Sequence, residues 1–339
     1  MLLRRFAVCF SVCGLIVAAG LIASAAAQAQ QTPQPMRVVA FAGASNLPFW
    51  AAQQKGFFKR EGVDPSLDIT LKSTDLAQDL YAGRFDMALT SVDNVIAYDE
   101  GQGEAELPGP ADFVALFGVD NGMLHIMTAP EVKSFAELKG KTISVDAMTT
   151  GFAFVLRDIL EKNGLKDGDV NFVRVGGGAQ RLQALLNHEQ TATLLNTPLD
   201  LVAESKGFHR LASARDVFGA YQGIVGVARR ETAPKSREKI EAFIRGFHAA
   251  VAWLGDGANR GEAVALLEER MRGMAHTQAE RAYDQLLDPQ NGIHRDLAID
   301  REGLKTVLRL RSQYGQPKKL LDDPDRYVDA SYLKAAMGK

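Results

Sequence analysis

The sequence predicts an α/β protein made of two similar lobes, on three observations. Short apolar runs of strand length alternate with helix-like segments through most of residues 37–223, the pattern of a parallel sheet with helices on both faces. A plan also repeats. LYAGRFDMALTSVDN (80–94) and LLNHEQTATLLNTPL (185–199) each end a helix, turn, run a short strand and break into a polar loop, with Gly83 and Asp86 replaced by His188 and Thr191 in the second copy. Length is the third observation, since about 310 residues remain once the first 29 are set aside, more than one ordinary core holds.

Those first 29 residues read as a secretory signal peptide. Arg4 and Arg5 form a basic start, Phe6–Ala23 is apolar, and Ala25-Ala26-Ala27 and Ala27-Gln28-Ala29 both fit a small-x-small cleavage site. Both cysteines, Cys9 and Cys13, lie inside it. The remaining chain then has no disulfide, thiolate nucleophile or cysteine metal site. Removing the segment takes away two arginines and no acid, moving the net charge from −2 to −4. There is no basic stripe of the kind nucleic acid requires, and no later apolar run approaches membrane-spanning length.

The elements follow in order. Gln30–Met36, QQTPQPM, is a polar leader expected to be disordered, and Arg37–Ala42 reads as a buried strand. PFWAAQQKGFFKREGVD (48–64) is a helix and its stop: Pro48 suits a first turn, Gly56 a left-handed end, and Phe57-Phe58 a hydrophobic plug. Pro65–Leu71 alternates into a strand with Leu67, Ile69 and Leu71 on one face. Asp75–Ala82 and Val92–Glu100 read as helices around a strand at Phe85–Leu89. EGQGEAELPGP (100–110) is a surface loop, and strands follow at Phe113–Val119 and Met123–Met127. The pattern restarts after Ala129-Pro130. Strands at Lys141–Val145, Val170–Val175 and Thr191–Leu195 alternate with helices from Thr150 to Asn163 and from Ala179 to Leu186. From about Ile224 the chain is mainly helical, over Lys235–Gly255, Gly261–Met274, Gln278–Leu287, Arg301–Tyr314 and Asp329–Met337.

Four segments carry a resemblance: LPFWAAQQKGFFKREGVD (47–64), LYAGRFDMALTSVDNVIAY (80–98), SFAELKGKTISVDAMTTGFAFVLRDILEKNGL (134–165) and GVARRETAPKSREKIEAFIRGFHAAVAWL (226–254). In this order they resemble the periplasmic substrate-binding proteins of ABC importers, in the branch that binds nitrate, sulfonate, taurine and thiamine-pyrimidine precursors. The resemblance implies a periplasmic binding protein type II fold with a ligand cleft between lobes. The chain would cross over near Thr128–Pro130 and return near Tyr221–Gly226. Lobe 1 would hold residues 37–128 and 224–339, and lobe 2 residues 129–223. It implies a monomer without cofactor or metal that captures a small organic molecule (sulfonate, aromatic or pyrimidine-like) in the periplasm and passes it to a membrane permease. A binding protein for a signalling receptor would look the same. An exported enzyme related to pyrimidine synthases is disfavoured by the export signal and by the absence of the cysteine-rich motif of those enzymes.

If the family fold holds, five polar loops converge on the cleft. They supply Ser45, Asn46 and, just inside the helix, Trp50; Thr90, Ser91 and Asp93; Asp146, Thr149, Thr150 and Phe152; Asn196 and Thr197; and Tyr221. Each has a structural alternative. Ser45, Ser91 and Thr150 suit helix caps, Trp50 and Phe152 suit a core, and Asp93 and Asp146 suit caps or solvent. An acid pointing unpaired into the cleft would favour a cationic or N–H-bearing ligand. None of the five loops contains Arg or Lys, which leans the expected ligand toward a neutral, aromatic or singly charged molecule. VGGGAQ (175–180) lacks the lysine and spacing of a nucleotide loop and reads as a tight turn at the cleft edge. The six histidines are scattered, and no nucleophile elbow is present.

Overall fold

A computed structural model describes residues 32–338. The signal peptide read over residues 1–29, with Gln30 and Gln31, lies outside the described residues. The first half is built from β1 (Gln34–Phe41), α1 (Leu47–Gln54), α2 (Phe57–Arg60), β2 (Val63–Thr70), α3 (Ser73–Tyr81), β3 (Met87–Ser91), α4 (Val92–Asp99) and β4 (Phe113–Gly118). The chain then crosses into β5 (Leu124–Thr128), β6 (Thr142–Val145), α5 (Gly151–Lys162), β7 (Asn171–Arg174), α6 (Gly178–Leu186), β8 (Ala192–Asn196), α7 (Leu199–Ser205), β9 (His209–Ser213) and α8 (Ala214–Phe218). It returns as β10 (Ile224–Arg229) and ends in α9 (Arg237–Leu254), α10 (Arg260–Arg270), α11 (His276–Leu286), α12 (Arg301–Tyr314) and α13 (Ser331–Ala336).

Two five-stranded sheets result, in the orders β2-β1-β3-β10-β4 and β7-β6-β8-β5-β9. The two orders share a plan, and β3 and β8, the strands of the repeated sequence, both hold the central place. The sheets are mixed, not wholly parallel as expected. β1 runs parallel to β2 and β3, and β6 to β7 and β8, whereas β10 and β5 are antiparallel to both their neighbours. The reversed strand in each sheet is the one that has just arrived from the other half, so it enters from the opposite end.

Three local expectations change. Gln34–Met36 pair with Val63–Pro65 and belong to β1. Met36 is buried, and a proline near a strand's start loses only one ladder donor, so the leader is ordered from Gln34 on. On β2 the face bearing Leu67, Ile69 and Leu71 is the inward one, but it is buried only over its first residues. On that same face Val63 and Pro65 are buried and Leu67 is half-buried, while Ile69 and Leu71 are 45% and 55% exposed, because the far end of this edge strand reaches the rim of the cavity described below. Leu124–Thr128 pairs with β8 and β9, so the first crossing lies at residues 119–123 and not near Thr128–Pro130.

The crossing and the return run side by side and are tied through Asp120, which is fully buried. Its carboxylate accepts from Gly122 N (2.7 Å), Ile224 N (3.1 Å) and the Ser45 hydroxyl, and its carbonyl accepts from Gly223 N at 2.9 Å. A Cβ on Gly223 would stand 2.2 Å from Gly122 N, so only glycine permits this approach.

The Gly-Phe-Phe stretch is a structural plug. The Phe58 ring lies 5.2 Å from Phe49 and 4.8 Å from Phe243 of α9, and Trp50 is buried in the same core. The C-terminal helices do not all belong to the first half. α12 packs against both α4 and α5, and its Leu304, Val307 and Leu308 join one apolar core with Val39 and Val95 on one side and Ile143 and Phe154 on the other. Among the described residues no helix is long and apolar enough to cross a membrane.

Candidate functional site

A cavity of about 80 Å³ lies where strand ends of both sheets meet, the position at which open α/β sheets offer loops and helix starts to a ligand. The first half contributes Phe41 and Ala42 after β1, Thr70, Leu71 and Ser73 after β2, and Thr90, Ser91, Asp93 and Asn94 at the β3–α4 junction. The second half contributes Asp146 after β6, Thr150–Phe152 opening α5, Gly177–Arg181 opening α6, and Asn196 ending β8; Ile224 completes the wall.

Seven of the residues singled out in the sequence therefore stand on the wall: Thr90, Ser91, Asp93, Asp146, Thr150, Phe152 and Asn196. Ser91 and Thr150 are also caps, accepting from Asp93 N (3.3 Å) and Ala153 N (3.4 Å). The other six lie elsewhere. Ser45 donates to Asp120 at the joint between the halves. Asn46 is buried and donates to Phe41 O at 2.7 Å. Trp50 is core. Thr149 faces Glu104, with its hydroxyl 3.3 Å from the carboxylate. Thr197 donates to Gln285 of α11 at 2.6 Å. Tyr221 is buried and stacks on Phe218 at 6.3 Å, and burial pushes its phenol up.

Three charged side chains reach the wall, and their surroundings differ. Asp93 is 1% exposed. Arg311 of α12, itself fully buried, donates to both its oxygens at 2.6 Å, and Gly151 N donates to one of them at 2.7 Å. The same guanidinium reaches Thr149 O (2.7 Å) and Gln102 O (3.3 Å). Arg181 is 2% exposed and donates to Gly176 O (2.8 Å) and Leu194 O (3.0 Å), while its Nε–H finds no acceptor. Burial pulls its guanidinium below the usual range, and the Asp146 charge acts the other way. Asp146 is partly exposed and has no hydrogen-bond or ion-pair partner among the described residues.

Sequence reading missed Arg181 because it looked for cations in five loops, and this one sits a turn inside a helix. The local signal is the Gly-Gly-Gly run before it, which the sequence places as a tight turn at the cleft edge. Arg311 carried no local signal, since its partner lies 218 residues away.

The halves are closed on each other around the cavity. Gly177 N donates to Leu71 O at 3.1 Å, and Ala44 N to Thr197 O at 3.1 Å. Glu104, in the loop read as free surface, holds Arg174 at 2.8 Å. Gly177 has φ −62° and ψ 170°, a conformation open to any residue, yet a Cβ there would stand 2.7 Å from Leu71 O. Its glycine is required by the closed approach. No group of three or more His, Cys, Asp or Glu side chains placed to hold a metal occurs among the described residues.

No curated protein matches the sequence. Among solved structures, the chain is similar to a protein from Bordetella bronchiseptica RB50, with 20% identity and a TM-score of 0.75 over 91% of this chain and 98% of that one. It is similar to the periplasmic nitrate-binding protein NrtA from Synechocystis PCC 6803, with 14% identity and a TM-score of 0.74 over 90% and 88% of the two chains. It is also similar to the periplasmic aliphatic sulphonate binding protein SsuA from Escherichia coli, with 18% identity and a TM-score of 0.67 over 88% and 92%. At these identities the likeness establishes the fold, the two-lobed α/β architecture of periplasmic binding proteins. The family described as NMT1/THI5 like matches residues 44–256, well over half of the sequence, and with that match the chain belongs to the NMT1/THI5-like family, in keeping with the branch its four segments resemble.

Proposed function

We propose that this protein is the solute-binding component of an ABC-type importer, exported to the periplasm, which captures a small organic molecule between its halves and delivers it to a membrane permease. The observation that carries the reading is the cavity itself, lined from both halves by loops and helix starts and flanked by backbone contacts that cross between them. Binding without catalysis fits its chemistry. The wall carries no histidine or cysteine, and Asp93 has both oxygens committed to Arg311 and Gly151. The names of similar structures, a nitrate-binding and a sulphonate-binding protein among them, support the class of function.

The test is thermal unfolding of the purified protein, stripped of ligand, against sulfonates, aromatic carboxylates, pyrimidines, amines, nitrate, bicarbonate and a periplasmic extract. A ligand at one hundred times its Kd adds about 2.7 kcal/mol, readily seen in Tm. A shift with the compound recovered unchanged is the expected result, and it should weaken in Asn196→Ala. Recovery of an altered compound moves the protein among enzymes. No shift from any compound or extract removes the capture reading.

A further inference from the structure

We infer that the two halves part on one face only: α12 stays clamped to both, and the cavity exchanges its contents by releasing a polar latch that α11 and α7 form on the opposite face. The binding reading above gives the motion its purpose, while the test below needs no ligand.

The asymmetry begins in the alternation of the strands. Successive strand residues face opposite sides of a sheet, so each sheet has two cores to fill. On one side the two sheets share a single apolar core: Val39 and Ala88 of the first, Ile126 and Leu194 of the second, and Leu304 and Val307 of α12 all belong to it. On the other side the neighbouring strand residues separate. Val38 and Leu89 pack with Phe243 of α9, whereas Met127 and Leu195 pack with Leu185 of α6 and Ala203 of α7. Among the described residues of the second half, Leu201 of α7 alone enters the first half's core there.

The contacts that join the halves differ in the same way. On the α12 face, the Phe154 ring lies 5.7 Å from Tyr314, Arg309 donates to both oxygens of Asp158 (3.0 and 3.2 Å), and buried Arg311 ties Asp93 to Thr149 O. Opening there would expose the shared core to water. On the α11 face the joins are mainly polar. Thr197 donates to Gln285 at 2.6 Å, Arg281 to Glu204 at 2.6 Å, and Arg215 to Gln290 O at 2.8 Å. A polar cavity of about 400 Å³ lies between the surfaces, with His125, Arg210 and Ser213 on one side and Asp284, Gln285 and Asp288 on the other. Water replaces such hydrogen bonds and exposed ion pairs at little net cost, so this is the face that yields.

The wall of the ligand cavity is then half preformed. Asp93, Gly151 and Phe152 lie beside the clamp and keep their places. Asn196 and the start of α6 travel with α7, so Asn196 and the Gly178–Arg181 turn meet an occupant only as the latch engages.

Nitroxide labels test this on the purified, ligand-stripped protein, since the chain has no cysteine after Cys13. Lys206→Cys with Thr277→Cys spans the latch. Lys305→Cys, paired in turn with Lys166→Cys and Lys235→Cys, spans the clamp to the second and to the first half; all five positions are exposed. Arg281→Glu sets like charges against each other at Glu204. It should lengthen the latch distance by several ångströms beyond that of this structure and leave both clamp distances where they are. Gln285→Ala should do the same more weakly, and it serves where charge reversal lowers Tm. A wild type already longer at the latch, with the clamp unchanged, supports the inference equally. Latch distances that match this structure in the wild type and both variants overturn it, and so does a clamp distance that lengthens along with the latch. Either result leaves the capture reading to its own ligand panel.

Discussion

Asp93 and Asp146 stand on facing walls of one cavity under opposite conditions. Asp93, on the first half, is buried and holds three N–H donors from α12 and α5. Asp146, on the second half, is partly exposed and holds none among the described residues. The first is a pin. It joins α4 to the start of α5 and to the helix that packs on both halves, and burying an ion pair with its hydrogen bonds complete makes each partner costly to lose. The second lines the same cavity without such a partner. Two acids near the strand-to-helix junctions of the two halves thus stand under opposite conditions, and the difference is made by one arginine far along the chain.

The largest effect should come from breaking the pin. Arg311→Met leaves a buried carboxylate without its counter-charge and should cost about 3–5 kcal/mol in urea unfolding. Adding Asp93→Asn should restore much of that loss. A single variant that unfolds like the wild type would mean the pair carries nothing. Next is Gly177→Ala, whose Cβ would crowd Leu71 O in the closed form while suiting the residue's own backbone. It should disfavour closure by about 1–3 kcal/mol and raise the radius of gyration in solution scattering. An unchanged radius together with unchanged ligand affinity would show that the approach is not close.

The contrast between satisfied and unsatisfied acids recurs at the end of α4. Burial alone would raise Glu100, but hydrogen bonds from Lys319 and Tyr327 and the Arg326 charge bring it below the usual range. Its neighbour Asp99 has only the Phe113 N–H, at 2.9 Å, and burial pushes it up to about 7. Between its ordinary 3.8 and about 7 the folded chain keeps a proton that the unfolded chain has released. The stability from protonated Asp99 is therefore complete below about pH 4 and lost as pH rises through 7. Asp99→Asn should match the wild type at low pH and exceed it by about 1–2 kcal/mol at pH 8, after allowance for solvent screening. Parallel stability curves across that range would place Asp99 in water. The smallest effect is expected at Asp146, where Asn should change stability by less than about 0.5 kcal/mol; a larger loss would reveal a structural partner and weaken the contrast with Asp93.

Much of the fold was legible before the structure. The alternation of runs located most strands, the repeated plan at 80–94 and 185–199 marked the central strand of each sheet, and the caps at Ser91 and Thr150 were readable because a cap is a local contact. The errors fell where partners are distant. Leu124–Thr128 looks like one more strand of the first half, and only its pairing with β8 and β9 assigns it to the second. Ile69 and Leu71 alternate as a buried face would, but β2 is an edge strand. Ser45, Asn46, Thr149 and Thr197 have the polarity of ligand-binding loops, yet their hydrogen bonds go to Asp120, Phe41 O, Glu104 and Gln285.

The sequence by itself determined the α/β class, the two-fold plan, the polar loops and the family, because periodicity, turn chemistry and motif order are written over short stretches of chain. Tertiary structure alone decided which loops meet, that Arg311 would neutralise one acid and leave the other open, and that an arginine inside a helix would stand at the wall. Those outcomes depend on contacts between residues far apart in the chain, where a charge's meaning is set by what packs beside it and not by its neighbours in sequence.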